Sequence, residues 1–253
     1  FFREGELEYV ENKSDQWNRG AYIVESLSHC GACHTPRNIF GAKDSSRLFS
    51  GGTYQDKIPG GLYRSWFAPN LTSSSKGLGL WSYDDLFSYL KYGRNHKVDS
   101  FGPMNKVIFG GTNKLNDHDI NSMVTYLKEL PPSLDSIEEQ PEDSQVIGRG
   151  RTIYNLHCGT CHLPTGLGDP EMAPQLNGGS LVVRAEDPSS LINVILYGPE
   201  KPNPVLPSKW FNSMEEFQYL LDDDEVAALA TFIRSSWDIM ASAVTPEQVA
   251  RQR

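Results

Sequence analysis

The chain has 253 residues, 38% hydrophobic and 22% charged, which allows one large domain or two of ordinary size. A mean hydropathy of −0.45 is low for a globular protein and leaves room for a cofactor in the core. No run of 18 apolar residues occurs, so the sequence offers no membrane-spanning helix. Residues 1–130 carry 15 Lys/Arg and 14 Asp/Glu, whereas residues 131–253 carry 8 and 18, net +1 against net −10. That distribution argues against a nucleic-acid binder, which needs a basic stripe. The acidic half reads as solvated surface or as a docking face for a basic partner. The chain starts at Phe1 with no leader and reads as a mature or trimmed product.

In chain order, Arg19-Gly20-Ala21-Tyr22-Ile23-Val24 predicts a helix that delivers Cys30-Gly31-Ala32-Cys33-His34. This C-x-x-C-H run is the attachment signature of c-type haem. Two thiols one turn apart can add to the two vinyl groups of one porphyrin. The adjacent His then offers its imidazole to the iron. Ala68-Pro69-Asn70-Leu71 follows, then a helix over Tyr83–Tyr92 capped by Ser82 and closed by Gly93. Met104 falls in an irregular stretch, and Asn116-Asp117-His118-Asp119-Ile120 opens a last helix with acids at its positive end. Pro131-Pro132 stops that helix, and residues 131–143, acidic with three prolines, read as a linker.

The pattern then repeats. Arg149-Gly150-Arg151-Thr152-Ile153-Tyr154 leads to Cys158-Gly159-Thr160-Cys161-His162, and Ala173-Pro174-Gln175-Leu176 follows. In both copies the Gly of a Tyr-Gly pair, Gly93 or Gly198, lies 24 residues beyond the Pro. The second short helix is expected over Pro188–Tyr197, with Asp187 at N-cap and Pro188 at N1. Asp222-Asp223-Asp224-Glu225-Val226 opens the final helix, and Val226, Ala230 and Ile233 match Ile120, Val124 and Leu127.

Other uses of the cysteines fit less well. A thioredoxin-like C-x-x-C belongs to a βαβ context that is missing here. A zinc site would have to join pairs 128 residues apart. Disulfides closing such short loops would remove little chain entropy. Two motifs inside a repeat therefore predict two haem c groups, held by Cys30, Cys33, Cys158 and Cys161, with His34 and His162 as proximal ligands. Covalent haem c is made outside the cytoplasm, which implies the periplasm.

The order of elements resembles the class I cytochrome c fold. The fold class expected is all-α: two tandem class I cytochrome c domains, residues 1–130 and 144–253, joined by the linker 131–143. In that fold the first and last helices cross closely. Gly20 and Gly150 fit the small residue at the crossing, with Tyr126 and Phe232 as partners.

For the sixth ligand the reading is Met104 and Met214, 11 and 16 residues beyond Gly93 and Gly198. Met172, ten residues past His162, ranks second in the second copy, and His96 competes with Met104 in the first. Met123 reads as core, Met240 as tail, His29 and His157 as surface or propionate-side residues, and His118 as solvated. A ligating His normally donates its other N–H to a carbonyl. The class I resemblance assigns that carbonyl to Pro174 and, by repeat, to Pro69.

Several stretches resemble the cytochrome c subunits of membrane-bound alcohol, gluconate and sorbitol-type dehydrogenases. They are Trp17-Asn18-Arg19-Gly20-Ala21-Tyr22, His29-Cys30-Gly31-Ala32-Cys33-His34-Thr35-Pro36-Arg37, Trp66-Phe67-Ala68-Pro69-Asn70-Leu71-Thr72, Gly102-Pro103-Met104 and the run Asp222 to Trp237. The resemblance implies electron transfer from a quinoprotein or flavoprotein dehydrogenase to quinone or a terminal oxidase. It also implies a place at the outer face of the inner membrane, reached through partners or missing segments. Members carry three haem motifs, and this chain matches their second and third domains. In members Pro usually follows the C-terminal Met, whereas Glu215 follows Met214 here. The alternative function is a haem enzyme such as a dihaem peroxidase, which needs an open iron position, yet both copies offer a Met.

One asymmetry stands out. His34 and Pro69 are 35 residues apart, His162 and Pro174 only 12, so the first copy carries a 23-residue insertion. It holds Phe40, Phe49, Tyr54, Tyr63, Trp66 and Phe67 among several Arg and Lys. So many rings need something to cover. The expectation is a loop over the proximal side of the first haem, with an Arg on a propionate, forming part of the surface between the copies or a seat for a partner.

Overall fold

The computed structural model describes residues 7–58, 61–133, 144–169, 172–178, 180–199 and 214–253. Its regular structure is mostly helical. Ser14 caps α1 (Asp15–Ala21), its hydroxyl accepting from the Trp17 amide at 3.1 Å, and a π-helical turn over Tyr22–Leu27 carries the chain on to the first motif. α2 (Tyr83–Tyr92) begins with a reciprocal Ser82–Asp85 capping box and ends at Gly93 in the left-handed region, as its residues predict. α3 (Pro103–Gly110) and α4 (Asp117–Lys128) complete the first half, and Asn116 caps α4.

The second half repeats the plan with α5 (Ser144–His157), the single turn α6 (Gly159–His162), α7 (Ser189–Tyr197) and α8 (Asp223–Arg234). α8 has its own Asp222–Glu225 capping box. The tail returns through α9 (Pro246–Ala250), burying Val244 and Val249.

Each half builds a core where its first and last helices cross. A β-carbon on Gly20 would stand 2.0 Å from the Ser122 carbonyl oxygen and 2.8 Å from Tyr126 Cβ. On Gly150 it would stand 2.1 Å from the Ala228 carbonyl oxygen and 2.7 Å from Phe232 Cβ. The backbones touch at both places, and only glycine permits this approach. The residue before each glycine is an arginine that reaches the opening turn of the opposing helix. Arg19 holds Asp119 bidentately at 2.8 and 3.1 Å, and Arg149 lies 3.6 Å from Glu225.

Three expectations need correction. The fold is not purely α. Gly52–Lys57 (β1) and Tyr63–Ala68 (β2) pair as an antiparallel hairpin, with Gly52 opposite Ala68 and Lys57 opposite Tyr63. This hairpin is most of the 23-residue insertion. The stretch holding Met104 is helical rather than irregular, because Pro103 occupies the first turn of α3, where its missing N–H costs nothing. α7 starts one residue late: Pro188 is its N-cap, and Asp187 Oδ1 accepts from the Ser189 amide. Of the linker, residues 134–143 lie outside the described residues. Ser133 is tied back, with its Oγ accepting from Asn70 Nδ2 at 2.7 Å.

Candidate haem-binding sites

The first motif hangs from the end of the π-helical turn. His29 takes a left-handed conformation, φ 52°, and turns the chain into Cys30–Ala32. His34 points inward, and its Nδ1 lies 2.7 Å from the Pro69 carbonyl oxygen. A carbonyl can only accept, so Nδ1 carries the proton, and the Nε2 lone pair of the neutral ring is left for a metal. Burial holds the His34 pKa below its ordinary value, which keeps the ring neutral. The hairpin backs the motif: Gly51 donates its N–H to the His34 carbonyl at 3.0 Å, and a β-carbon on Gly52 would lie 2.6 Å from the Cys33 carbonyl oxygen.

The second motif repeats this geometry on α6. His162 is 9% exposed, and its Nδ1 lies 2.9 Å from the Pro174 carbonyl oxygen, while burial lowers its pKa. Gly168, at φ +69°, folds the intervening loop under Pro174. A β-carbon there would come within 2.5 Å of the Pro174 carbonyl oxygen. The sequence separations are 35 and 12 residues, yet both halves bring the carbonyl of the equivalent proline to Nδ1 of the motif's His.

None of the four thiols is in a disulfide. Burial pushes Cys30 up to about 11 and Cys158 up to about 12, so both stay protonated at neutral pH. Among the described residues no cluster of three or more His, Cys, Asp or Glu could hold a metal ion.

A cavity of about 340 Å³ opens over His162. Its walls are mostly apolar, and Cys158, Cys161, His162, Met172, Pro174 and Met214 all reach it. Two thiols one turn apart, a neutral imidazole and a thioether facing one apolar hollow fit a covalently bound haem. Both candidate methionines line the cavity, so its shape alone does not choose between them. His157 also lines it, edge-on to Phe217 with ring centroids 5.9 Å apart.

In the first half Met104 occupies the opening turn of α3, partly buried against the core. His96 faces outward, 67% exposed, with its Nδ1 2.9 Å from Asp85 Oδ1. Met123 is fully buried and Met240 is 76% exposed. His118 lies on the surface, 3.9 Å from Asp119.

The sequence reading missed two parts of the second site. Arg234 is fully buried and donates to the carbonyls of Val183 and Ala185 at 3.0 and 2.9 Å, pinning a cavity wall. Its only sequence signal is a cation in the last turn of α8. The other is a wall from the first half, where Val98 and Phe101 line the cavity over His162. Nothing local to the sequence marks that contact.

The fold and the site together define a c-type cytochrome domain, and the cytochrome c family model matches residues 147–237. The chain is a homologue of the cytochrome c subunits of alcohol, gluconate and fructose dehydrogenases. It is 36% identical to the cytochrome c subunit of alcohol dehydrogenase (quinone) from Gluconacetobacter polyoxogenes, across 93% of this chain and 52% of that protein. Identity is 35% to the gluconate 2-dehydrogenase cytochrome c subunit of Pantoea cypripedii, across 93% and 55%. It is 30% to the fructose dehydrogenase cytochrome subunit of Gluconobacter japonicus, across 95% and 52%. The chain thus spans about half the length of these curated relatives.

Proposed function

We propose that this chain is the dihaem portion of an electron-transfer subunit. It takes electrons from a quinoprotein or flavoprotein dehydrogenase and passes them to quinone or a terminal oxidase, in the periplasm at the outer face of the inner membrane. Residues 1–130 and 144–253 are tandem class I cytochrome c domains, and residues 131–143 link them. Cys30 and Cys33 attach one haem c, and Cys158 and Cys161 the other. His34 with Met104, and His162 with Met214, are the axial pairs. The observation that carries this reading is the duplicated His Nδ1 to proline carbonyl hydrogen bond, at 2.7 and 2.9 Å, behind two C-x-x-C-H motifs.

Haem supplies one-electron redox chemistry at its iron when bound. The protein holds and tunes it. Pro69 and Pro174 fix each imidazole's tautomer and orientation, which raises its donor strength. The mostly apolar walls of the second site would disfavour added charge on a metal held there.

Two experiments test the reading. The intact mass is expected to exceed that of the bare chain by two haem groups, and a one-haem mass would sink the dihaem claim. Mixed with a primary alcohol or an aldose and no dehydrogenase, both haems are expected to stay oxidised. Reduction at turnover rates would instead class the protein as an enzyme.

A further inference from the structure

The two halves are joined by a seam of buried polar groups. α7, whose Leu191, Val194 and Ile195 line the second cavity, presents Ser190 and Asn193 to the edge of β2. Ser190 Oγ accepts from the Phe67 amide at 2.8 Å and donates to the Phe67 carbonyl at 3.0 Å. Asn193 Nδ2 donates to the Ser65 carbonyl at 2.7 Å, and the Arg64 guanidinium lies 3.7 Å over the Tyr197 ring. Ser190 is 3% exposed and Asn193 fully buried. Losing a partner here would strand a buried polar group, so the seam fixes one alignment of β2 on α7.

Between Ser65 and Phe67 on β2 lies Trp66, 5% exposed, which packs on the backbone of Gly102. A β-carbon on Gly102 would sit 2.8 Å from the indole, and Gly102 holds φ +53°. The residues flanking Gly102 run to different sites. Phe101, its ring centroid 6.1 Å from that of Trp66, lines the second cavity. Met104, two residues after Gly102, opens α3 in the first half. A second tie runs alongside: the Gln175 amide, next to Pro174, donates to the Lys97 carbonyl at 2.9 Å.

We propose that Trp66 is a positioning residue shared by the two haem sites: pinned to α7 through β2, it holds Phe101 as a wall of the second site and the Gly102–Met104 turn at the first. The inference rests on the dihaem reading above. Trp66 is not among the residues lining the cavity over His162; it acts through Phe101 and Met104. With both haems bound, the segment from Phe101 to Met104 would lie between the two sites, so its position would bear on the rate of exchange between them. In such an exchange one electron would leave the ferrous site and reduce the ferric one. No bond or proton changes hands, and the first electron comes from the dehydrogenase or, in the test, from a photogenerated flavin semiquinone.

The test uses the full two-haem chain with Trp66→Ala, Trp66→Phe and the seam variant Ser190→Ala/Asn193→Ala. In Trp66→Ala the first site is expected to lose intensity in its Met–iron charge-transfer band. The second site is expected to admit carbon monoxide severalfold faster, and inter-haem exchange after a flavin flash is expected to slow severalfold. Trp66→Phe keeps a ring on Gly102 and is expected to restore all three signals. The seam variant leaves Trp66 in place but frees β2, and is expected to slow exchange and raise hydrogen exchange at the Phe67 and Gln175 amides. It carries the test if Trp66→Ala fails to accumulate. A two-haem parent whose second site and exchange rate are unmoved by Trp66→Ala, or by the seam variant in its absence, overturns the inference alone. A parent with fewer than two haems overturns the dihaem reading and this inference with it.

Discussion

Gly150→Ala is expected to destabilise the protein by about 3 kcal/mol or more, the upper end of what overpacking a core costs. The new methyl would meet the Ala228 carbonyl oxygen at 2.1 Å and Phe232 Cβ at 2.7 Å. A carbonyl within a helix cannot rotate away as a flexible side chain can, so α5 and α8 must separate. Separation opens the packing of Tyr154, fully buried with its ring 5.3 Å from Phe232, and of Trp237 beside both. It also displaces the end of α5, which delivers Cys158. Gly20→Ala is expected to act alike through Ser122 and Tyr126, whose ring lies 5.0 Å from Trp17. Either loss is a large share of the roughly 5–15 kcal/mol that holds a typical domain folded. Thermal melting of the haem-loaded protein checks this, with a fall of roughly 6–12 °C expected at 2–4 °C per kcal/mol for a chain of this size. A Gly150→Ala protein that melts with the parent would mean that the helices do not touch there.

That crossing was legible because it is written twice. Gly20 and Gly150 stand in the same Arg-Gly context, ten and eight residues before their first cysteines. The Ser82 cap was legible for a local reason, because its hydroxyl accepts from the amide three residues on, and the acidic openings at Asn116 and Asp222 mark helix starts where Asn116 and Asp222 accept in the same way. The hairpin was not. β1 reads Gly-Thr-Tyr-Gln-Asp-Lys, with no alternation of apolar and polar residues, so the period-two signal of a strand is absent. β1 pairs because β2 lies beside it, and β2 is fixed by α7, more than 120 residues further along. The arginines of the insertion found protein partners: Arg37 donates to the Ala32 carbonyl, Arg47 reaches Glu186 and Arg64 stacks on Tyr197. The Arg47 and Arg64 contacts set the insertion against the second half, the side of the expectation that concerned the surface between the copies, whereas Arg37 stays within the first. A cavity wall borrowed from the other half, as by Phe101, has no local signature, because the contact exists only once both halves have folded.

Met104→Ala and Met214→Ala are each expected to strip one haem of its strong-field sulfur. The marks would be loss of the weak Met–iron charge-transfer band, carbon monoxide binding at that haem, and a lower potential. Axial ligands and their surroundings set haem potentials over about 0.8 V, so a fall on the order of 0.1 V or more is expected. For the first site the proposed ligand is Met104 rather than His96. Met104 is partly buried at the opening turn of α3, whereas His96 is exposed and turned to Asp85. For the second site the cavity admits both Met172 and Met214. Met172 is two residues before Pro174, and its amide donates to the Asp169 carbonyl within the loop that carries Pro174. That loop backs His162 through the Pro174 carbonyl. Met172 is thus rooted in the segment that supplies the His162 hydrogen-bond acceptor, which is the reason it ranks second. Met214 starts elsewhere. Its carbonyl lies beside Gly198 at the end of α7, and Phe217, three residues on, donates its amide to the Ile195 carbonyl across the cavity wall. With haem bound in the cavity, Met214 would be the thioether offered from the α7 side. Met172→Ala is therefore expected to leave the charge-transfer band and the potential of the second haem in place while Met214→Ala removes the band. The reverse result would transfer the ligand to Met172.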